Sequence, residues 1–207
     1  LHAASYYGNY TIAKYLIDKG ADVNIRSAPG ENETPLTLAA RGGHMRICAL
    51  LVAEGADINA TEHSVGYSAL HEAVDKGNIN LIKLLISKGA DVDLPARYGE
   101  TPLHLIVNPT LPLPKSEEPA LEMMKVLIDA GADLNAVDHG GMTPLMWASY
   151  HDRLGIAEYL FEHGADVNYT RDLGDEKTAL EHAKSEEMKN LLIKHGASGT
   201  HGATPKK

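Results

Sequence analysis

Apolar residues return along this chain in short bursts at helical spacing. Ile79, Ile82, Leu85 and Ile86 fall on one face of a helix. A shorter stretch precedes each burst and carries small residues, Ala73 there and Ala39, Ala40 and Ala148 in the equivalent places, which let neighbouring helices approach closely. Thr34-Pro35, Thr101-Pro102 and Thr143-Pro144 set a hydroxyl N-cap before a proline at the first helical position, where a missing N–H costs nothing. Turns at Gly8-Asn9, Gly43-His44 and Gly77-Asn78 separate the two stretches. Glycines at 20, 55, 89, 131 and 164 end the second stretch, at a left-handed C-cap position that penalises a Cβ. The pattern predicts pairs of short helices, repeated along the chain.

Self-similarity gives the period. Gly-Ala-Asp opens at Gly20, Gly55, Gly89, Gly131 and Gly164, and Gly196-Ala197-Ser198 is a worn sixth copy. A Thr-Pro-Leu string or its relics places leucine at Leu36, Leu70, Leu103, Leu145 and Leu180, and Leu1-His2-Ala3-Ala4 starts the chain inside the same string. These strings resemble the ankyrin repeat, in which T-P-L-H-x-A-A-x-x-G-H is followed by an apolar second helix and then G-A-D-V-N. The resemblance implies an all-α solenoid of stacked helix-turn-helix units with projecting β-hairpin or loop fingers. It marks residues 1–197 as one array, with approximate repeats 1–24, 25–59, 60–93, 94–135, 136–168 and 169–197, and leaves 198–207 as a disordered tail. A lone pair of short helices cannot bury its apolar face, so the units must stack. First helices and fingers then line a concave face, and second helices form the convex one.

Two kinds of departure interrupt the period. The fingers around 27–32, 61–65 and 171–176 carry extra residues at their tips, the kind of insertion that loops accept cheaply. The fourth unit has a proline-rich insertion at 109–119 between its helices, read as a stiff extension with Leu111 and Leu113 packed on the array. Its Pro109/Pro112 pair has Pro114 where a polyproline-reading domain wants a basic residue.

Charge narrows the class of partner. With 19 Lys+Arg against 28 Asp+Glu the net charge is −9, which disfavours nucleic acid and anionic membrane surfaces. No apolar run reaches the roughly 18 residues of a membrane-spanning helix, so no membrane insertion is expected. The single cysteine, Cys48, fits a reducing, intracellular, cytoplasmic setting. Because the chain opens at Leu1 within a repeat, the sequence reads as a piece of something longer or a processed form.

Candidate chemistry is thin. His71-Glu72-Ala73-Val74-Asp75 approaches a zinc-protease H-E-x-x-H, but Asp75 stands where the second histidine must ligate. The resemblance instead places His2, His71 and His104 at the histidine of T-P-L-H, whose role is structural, at the finger base. No nucleophile motif, phosphate loop or metal spacing is present, so no cofactor, no metal and no catalysis are expected.

Recognition is the remaining function. The resemblance marks three sets of variable positions on the concave side: the third residue of L-H-x-A, the pair before the turn glycine, and the finger tips. In this chain they yield Glu72 and Trp147 from the first set, Tyr6, Tyr7, Arg41, Asp75, Lys76, Tyr150 and His151 from the second, and Tyr67, Tyr98 and Met142 from the third. Trp, Tyr and Arg dominate interface energetics. Trp147, Tyr150 and His151 share one helical face and are expected to form an aromatic surface that takes an apolar anchor or a Lys/Arg side chain. The expected function is a monomeric, non-enzymatic module binding another protein or peptide. The alternative is a targeting or regulatory domain cut from a longer enzyme or effector protein.

Overall fold

The computed structural model describes residues 1–28, 31–108, 117–170 and 177–199. Of the segments singled out above, residues 109–116 of the insertion, the finger tip at 171–176 and the tail from 200 onward lie outside the described residues, while Glu118 and Pro119, expected in the insertion, open the helix Glu118–Asp129. Helices come in pairs: α1 (His2–Tyr6) with α2 (Tyr10–Asp18), α3 (Pro35–Arg41) with α4 (Met45–Ala53), and α5 (Ala69–Asp75) with α6 (Ile79–Ser87). Then follow α7 (Pro102–Val107) with α8 (Glu118–Asp129), α9 (Pro144–Tyr150) with α10 (Leu154–Glu162), and α11 (Ala179–His182) with α12 (Glu186–Lys194). Odd-numbered helices pack on one another in one layer and even-numbered helices in a second, the stacking expected of a solenoid.

The core lies between the layers. Leu36, Leu70, Leu103 and Leu145, the leucines of the repeated string, are buried from the first helices, and Ile47, Leu51, Ile82, Leu85, Leu127 and Leu160 meet them from the second. Ala39, Ala40, Ala73 and Ala148 are fully buried at the contacts between neighbouring first helices. Cys48 is enclosed in α4, where burial pushes its thiol up to about 12, so it is an inert core residue.

The first helices α3, α5, α7, α9 and α11 start on capping boxes, and in α7 the box also ties the helix to the next unit. The Thr34 and Thr37 hydroxyls each accept from the other's backbone N–H. In α5 and α7 the third partner is a histidine, whose Nδ1 accepts from the backbone N–H of Ser68 (3.2 Å) or Thr101 (3.2 Å). That acceptance leaves the proton on Nε2, and His104 Nε2 donates it to the Met142 carbonyl of the following finger at 3.0 Å. His2 makes the same reach to the carbonyls of Ile25 and Glu33. Burial lowers the pKa of both enclosed rings, His71 to about 4. A second tie runs through the finger asparagines: the Oδ1 atoms of Asn24, Asn59, Asn135 and Asn168 accept from backbone N–H groups of Asp57, Asp91, Asp166 and Ser198 in the next unit. Asp93 fills this role at the end of the third unit, accepting from the Asp133 N–H.

The fingers are loops, and no strand forms among the described residues. A backbone bond across the base closes the second to fifth fingers, such as Ala96 N–H to Glu100 O at 2.8 Å, and one bond joins each neighbouring pair of them. Those joining bonds run from His63 to Glu31, Arg97 to Val65 and His139 to Tyr98, at 2.8–2.9 Å. Single bonds at these spacings do not make a β-ladder. Gly66 and Gly99, both at positive φ, let the fingers approach, since a Cβ on Gly99 would stand 2.7 Å from the His139 nitrogen.

Two stability tests follow from these ties. Gly89→Ala meets nothing within 4 Å and bears only the left-handed backbone penalty, about 1–2 kcal/mol. Gly99→Ala adds a backbone clash and is expected to cost about 3 kcal/mol or more in urea titrations. Equal midpoints for the two variants would show that the fingers do not touch. A histidine with a depressed folded pKa binds fewer protons folded than unfolded, so its contribution is full above about pH 6.5 and disappears as pH falls through about 4. Stability should therefore drop by about 3 kcal/mol through His71 between pH 7 and pH 4, with His104 adding a loss in the same direction. His71→Gln, which keeps the capping box, should flatten that slope.

Candidate functional site

Two separate regions of the concave side hold the candidate residues. The first lies where α1, α3 and the second and third fingers converge on a cavity of about 650 Å³. Tyr6 and Tyr7, at the end of α1, line it with their rings in edge contact (5.1 Å between centroids, 82° between planes) and with exposures of 43% and 78%. Arg41, at the end of α3, closes the floor. Its Nε and Nη2 donate to Glu72 Oε1 at 2.9 and 2.7 Å, and its Nη1 donates to Glu33. Burial opposes charge on Arg41, yet the bonds and charges of Glu72 and Glu33 outweigh it and keep the guanidinium firmly protonated. Glu72 was expected at the groove surface but is buried on α5, because Arg41 folds over it.

The third finger supplies a residue that spacing alone did not mark. Glu62 is only 4% exposed, and its carboxylate accepts from the N–H groups of Ser64, Val65 and Tyr67 and from the Ser64 hydroxyl. Burial would raise its pKa, but those donors overcome the effect and hold it at about 2. The finger thus winds around an ionised carboxylate. The available signal was E-x-S within an enlarged finger, an Asx-like turn pattern too common to single out.

Between the two regions the candidates have local partners. Tyr67 stacks on His71 at 5.4 Å, and burial pushes its hydroxyl up to about 12. Asp75 and Lys76 pair with each other at 2.7 Å. Tyr98, at the fourth finger, is 60% exposed.

The second region centres on α9. Trp147 is half-buried, stacks on His151 at 5.3 Å, and donates from Nε1 to Asp138 at 2.9 Å. Asp138 is itself buried and also accepts from the Met142 N–H, so Trp147 and Met142 share one anchor at the finger base. Tyr150 is edge-on to His151 and carries the chain's own Lys184 over its ring at 3.5 Å. The cation–π position expected for a partner is therefore occupied from within. Asp152 takes the turn glycine's place with φ +59° and accepts from the Ser185 hydroxyl.

Among the described residues, no group of three His, Cys, Asp or Glu side chains is placed to hold a metal, and no helix is long and apolar enough to cross a membrane. What the arrangement offers is a wide, open surface with charge and aromatic faces.

Comparison with known proteins agrees with this geometry. The family model for three-copy ankyrin repeats matches residues 1–96, 61–113 and 94–171. The chain is similar to an ankyrin repeat protein of Fowlpox virus, at 29% identity over 84% of this chain and 50% of the relative. It is similar also to a palmitoyltransferase of Lachancea kluyveri, at 32% over 80% of this chain and 22% of the relative. An ankyrin repeat and KH domain-containing protein of Caenorhabditis elegans aligns at 30% over 90% of this chain and 6% of its own length. The chain thus spans half or less of the length of each.

Truncations at α9 distinguish support from display. Trp147→Ala removes the donor to a buried carboxylate as well as a stacked ring, and is expected to cost about 2 kcal/mol in urea unfolding. Tyr150→Ala releases Lys184 to solvent and should cost less than about 1 kcal/mol. The reverse order would mean that Trp147 is the freer surface.

Proposed function

The chain belongs to the ankyrin repeat family, and we propose that it is a non-enzymatic module that holds a partner protein or peptide in its concave groove and against its fingers. Ankyrin repeats are generally protein-interaction modules, and this reading applies that role to particular residues here. The observation that carries it is the 650 Å³ cavity between α1, α3 and the fingers, where two exposed tyrosine rings stand beside a guanidinium clamped in place. Large rings on a fixed base give contact area at little entropic cost. The α9 surface, with Tyr98, Met142, Trp147, Tyr150 and His151, is the second contact region in this proposal, and the array acts as a monomer inside the cell.

A second reading is supported by the palmitoyltransferase relative, of whose length this chain covers 22%. Under it the module is the targeting or regulatory part of a longer enzyme and presents a bound protein to a catalytic domain elsewhere in that chain. The flanking reading frame separates the two.

Photo-crosslinking tests the site. A crosslinking amino acid at Tyr7 or Tyr98 should capture the cellular partner, and one at Lys83, exposed on α6, should not. Tyr6→Ala with Tyr7→Ala should weaken partner retention at least tenfold while leaving the urea midpoint near that of the parent. Capture from Lys83 alone would place binding on the convex face and refute the assignment.

A further inference from the structure

The partner's chemistry can be taken a step further, resting on the groove reading above. Four carboxylates surround the cavity: Glu31, Glu33 and Glu62 line it and Glu72 lies beneath its floor, and Arg41 is the one guanidinium in the lining, while Arg26 and Arg97, outside it, donate to the backbone carbonyls of Asn32, Thr61, His63 and Ser64 in the fingers. Arg41 does not cancel this field, because its donors are directed at Glu33 and Glu72. Glu62 is held only by neutral N–H and O–H groups, which satisfy its lone pairs without supplying an opposite charge. Glu31 presents its carboxylate to solvent at the rim, and among the described residues neither Glu31 nor Glu62 has a cationic partner. The lining itself is therefore acidic, with three carboxylates to one guanidinium, of which Glu33 and Glu62 are held in place and Glu31 is exposed.

A second feature, independent of the acids, bears on the same occupant. Tyr6 and Tyr7 stand on the α1 side of the cavity with their rings exposed, and an aromatic face attracts a cation as well as an alkyl stem. At α9 the fold makes such a pair for itself, with Lys184 over Tyr150. No intramolecular cation–π contact is formed at Tyr6 or Tyr7 among the described residues. Beside Leu38, the cavity offers an apolar edge for the stem.

We propose that the groove formed by α1, α3 and the second and third fingers binds an extended partner segment through an arginine or lysine side chain, seated between the Tyr6/Tyr7 rings and the carboxylates of Glu31, Glu33 and Glu62. Acidic and phosphorylated segments are excluded by the same field.

The test uses a nine-residue peptide bearing two arginines and its citrulline counterpart, which keeps the shape and loses the charge. Tyrosine ring signals of the whole chain are followed by NMR at low and moderate salt. The arginine peptide should shift Tyr6 and Tyr7 saturably, with binding weakened several-fold by added salt and at least tenfold by Glu31→Lys, a surface change that leaves the finger's core intact. Tyr7→Ala should also weaken it. Equal binding of the citrulline peptide, indifference to Glu31→Lys, shifts confined to other tyrosines, or no saturation at millimolar peptide would each overturn the proposal. If the crosslinked cellular partner sits in the groove but contacts it without Lys or Arg, the basic-segment inference falls and the groove reading stands. Capture on the convex face defeats the groove reading itself.

Discussion

A pair of short helices has an apolar face too large to leave in water and too small to bury within itself, and every other feature of this molecule follows from that constraint. Stacking resolves it, but stacking demands small residues between first helices, hence the buried alanines at 39, 40, 73 and 148. It also demands that each unit be set at a fixed rotation on the next. Apolar packing is non-directional and does not specify that rotation. Polar ties do. A finger asparagine, or Asp93, accepts the next unit's N–H at each successive border, and at the first and fourth units a histidine adds a second point by reaching the next finger's carbonyl.

How much of this was legible depended on how local the interaction is. Helix starts, the left-handed glycines and the period follow from residues within a few positions of one another, and the pattern exposes them. The family follows from the same strings. Arg41 and Glu72 are 31 residues apart and meet only after two units stack, so each reads as a surface residue until the contact is seen. Tyr150 and Lys184 are alike in this: the ring looks available along α9, and the cation that covers it comes from the final unit. Glu62 was missed for the opposite reason. Its contacts are local, yet a loop carboxylate accepting backbone N–H groups leaves no periodic trace.

The two candidate regions therefore differ in kind, although both hold aromatic residues at equivalent places in the repeat. At α9 the indole is taken by Asp138, the Tyr150 face by Lys184 and Asp152 by Ser185, while His151 Nε2 is left without a hydrogen-bond partner among the described residues. At α1 and α3 the internal pairing stops short, with one guanidinium to three acids in the cavity lining and two rings that no cation covers among the described residues. Residue type and repeat position are the same sort of evidence in both, and only the pairing separates a self-contained surface from an unbalanced one.

Rigidity gives that imbalance its force. A carboxylate on a freely moving loop would turn into water and be screened, so its attraction for a cation would be small. Glu62 cannot turn, because four donors of its own finger hold both oxygens. The finger in turn cannot swing freely, because Arg97 bonds to Val65 and Gly66 brings the two backbones together. Arg41 is fixed from both sides by Glu33 and Glu72. The field in the groove is thus set during folding, and a ligand entering it does not have to order the groups that attract it. The inter-finger ties that register one unit on the next are the same ones that hold the charges still, so stability of the array and organisation of its binding surface rest on one set of bonds.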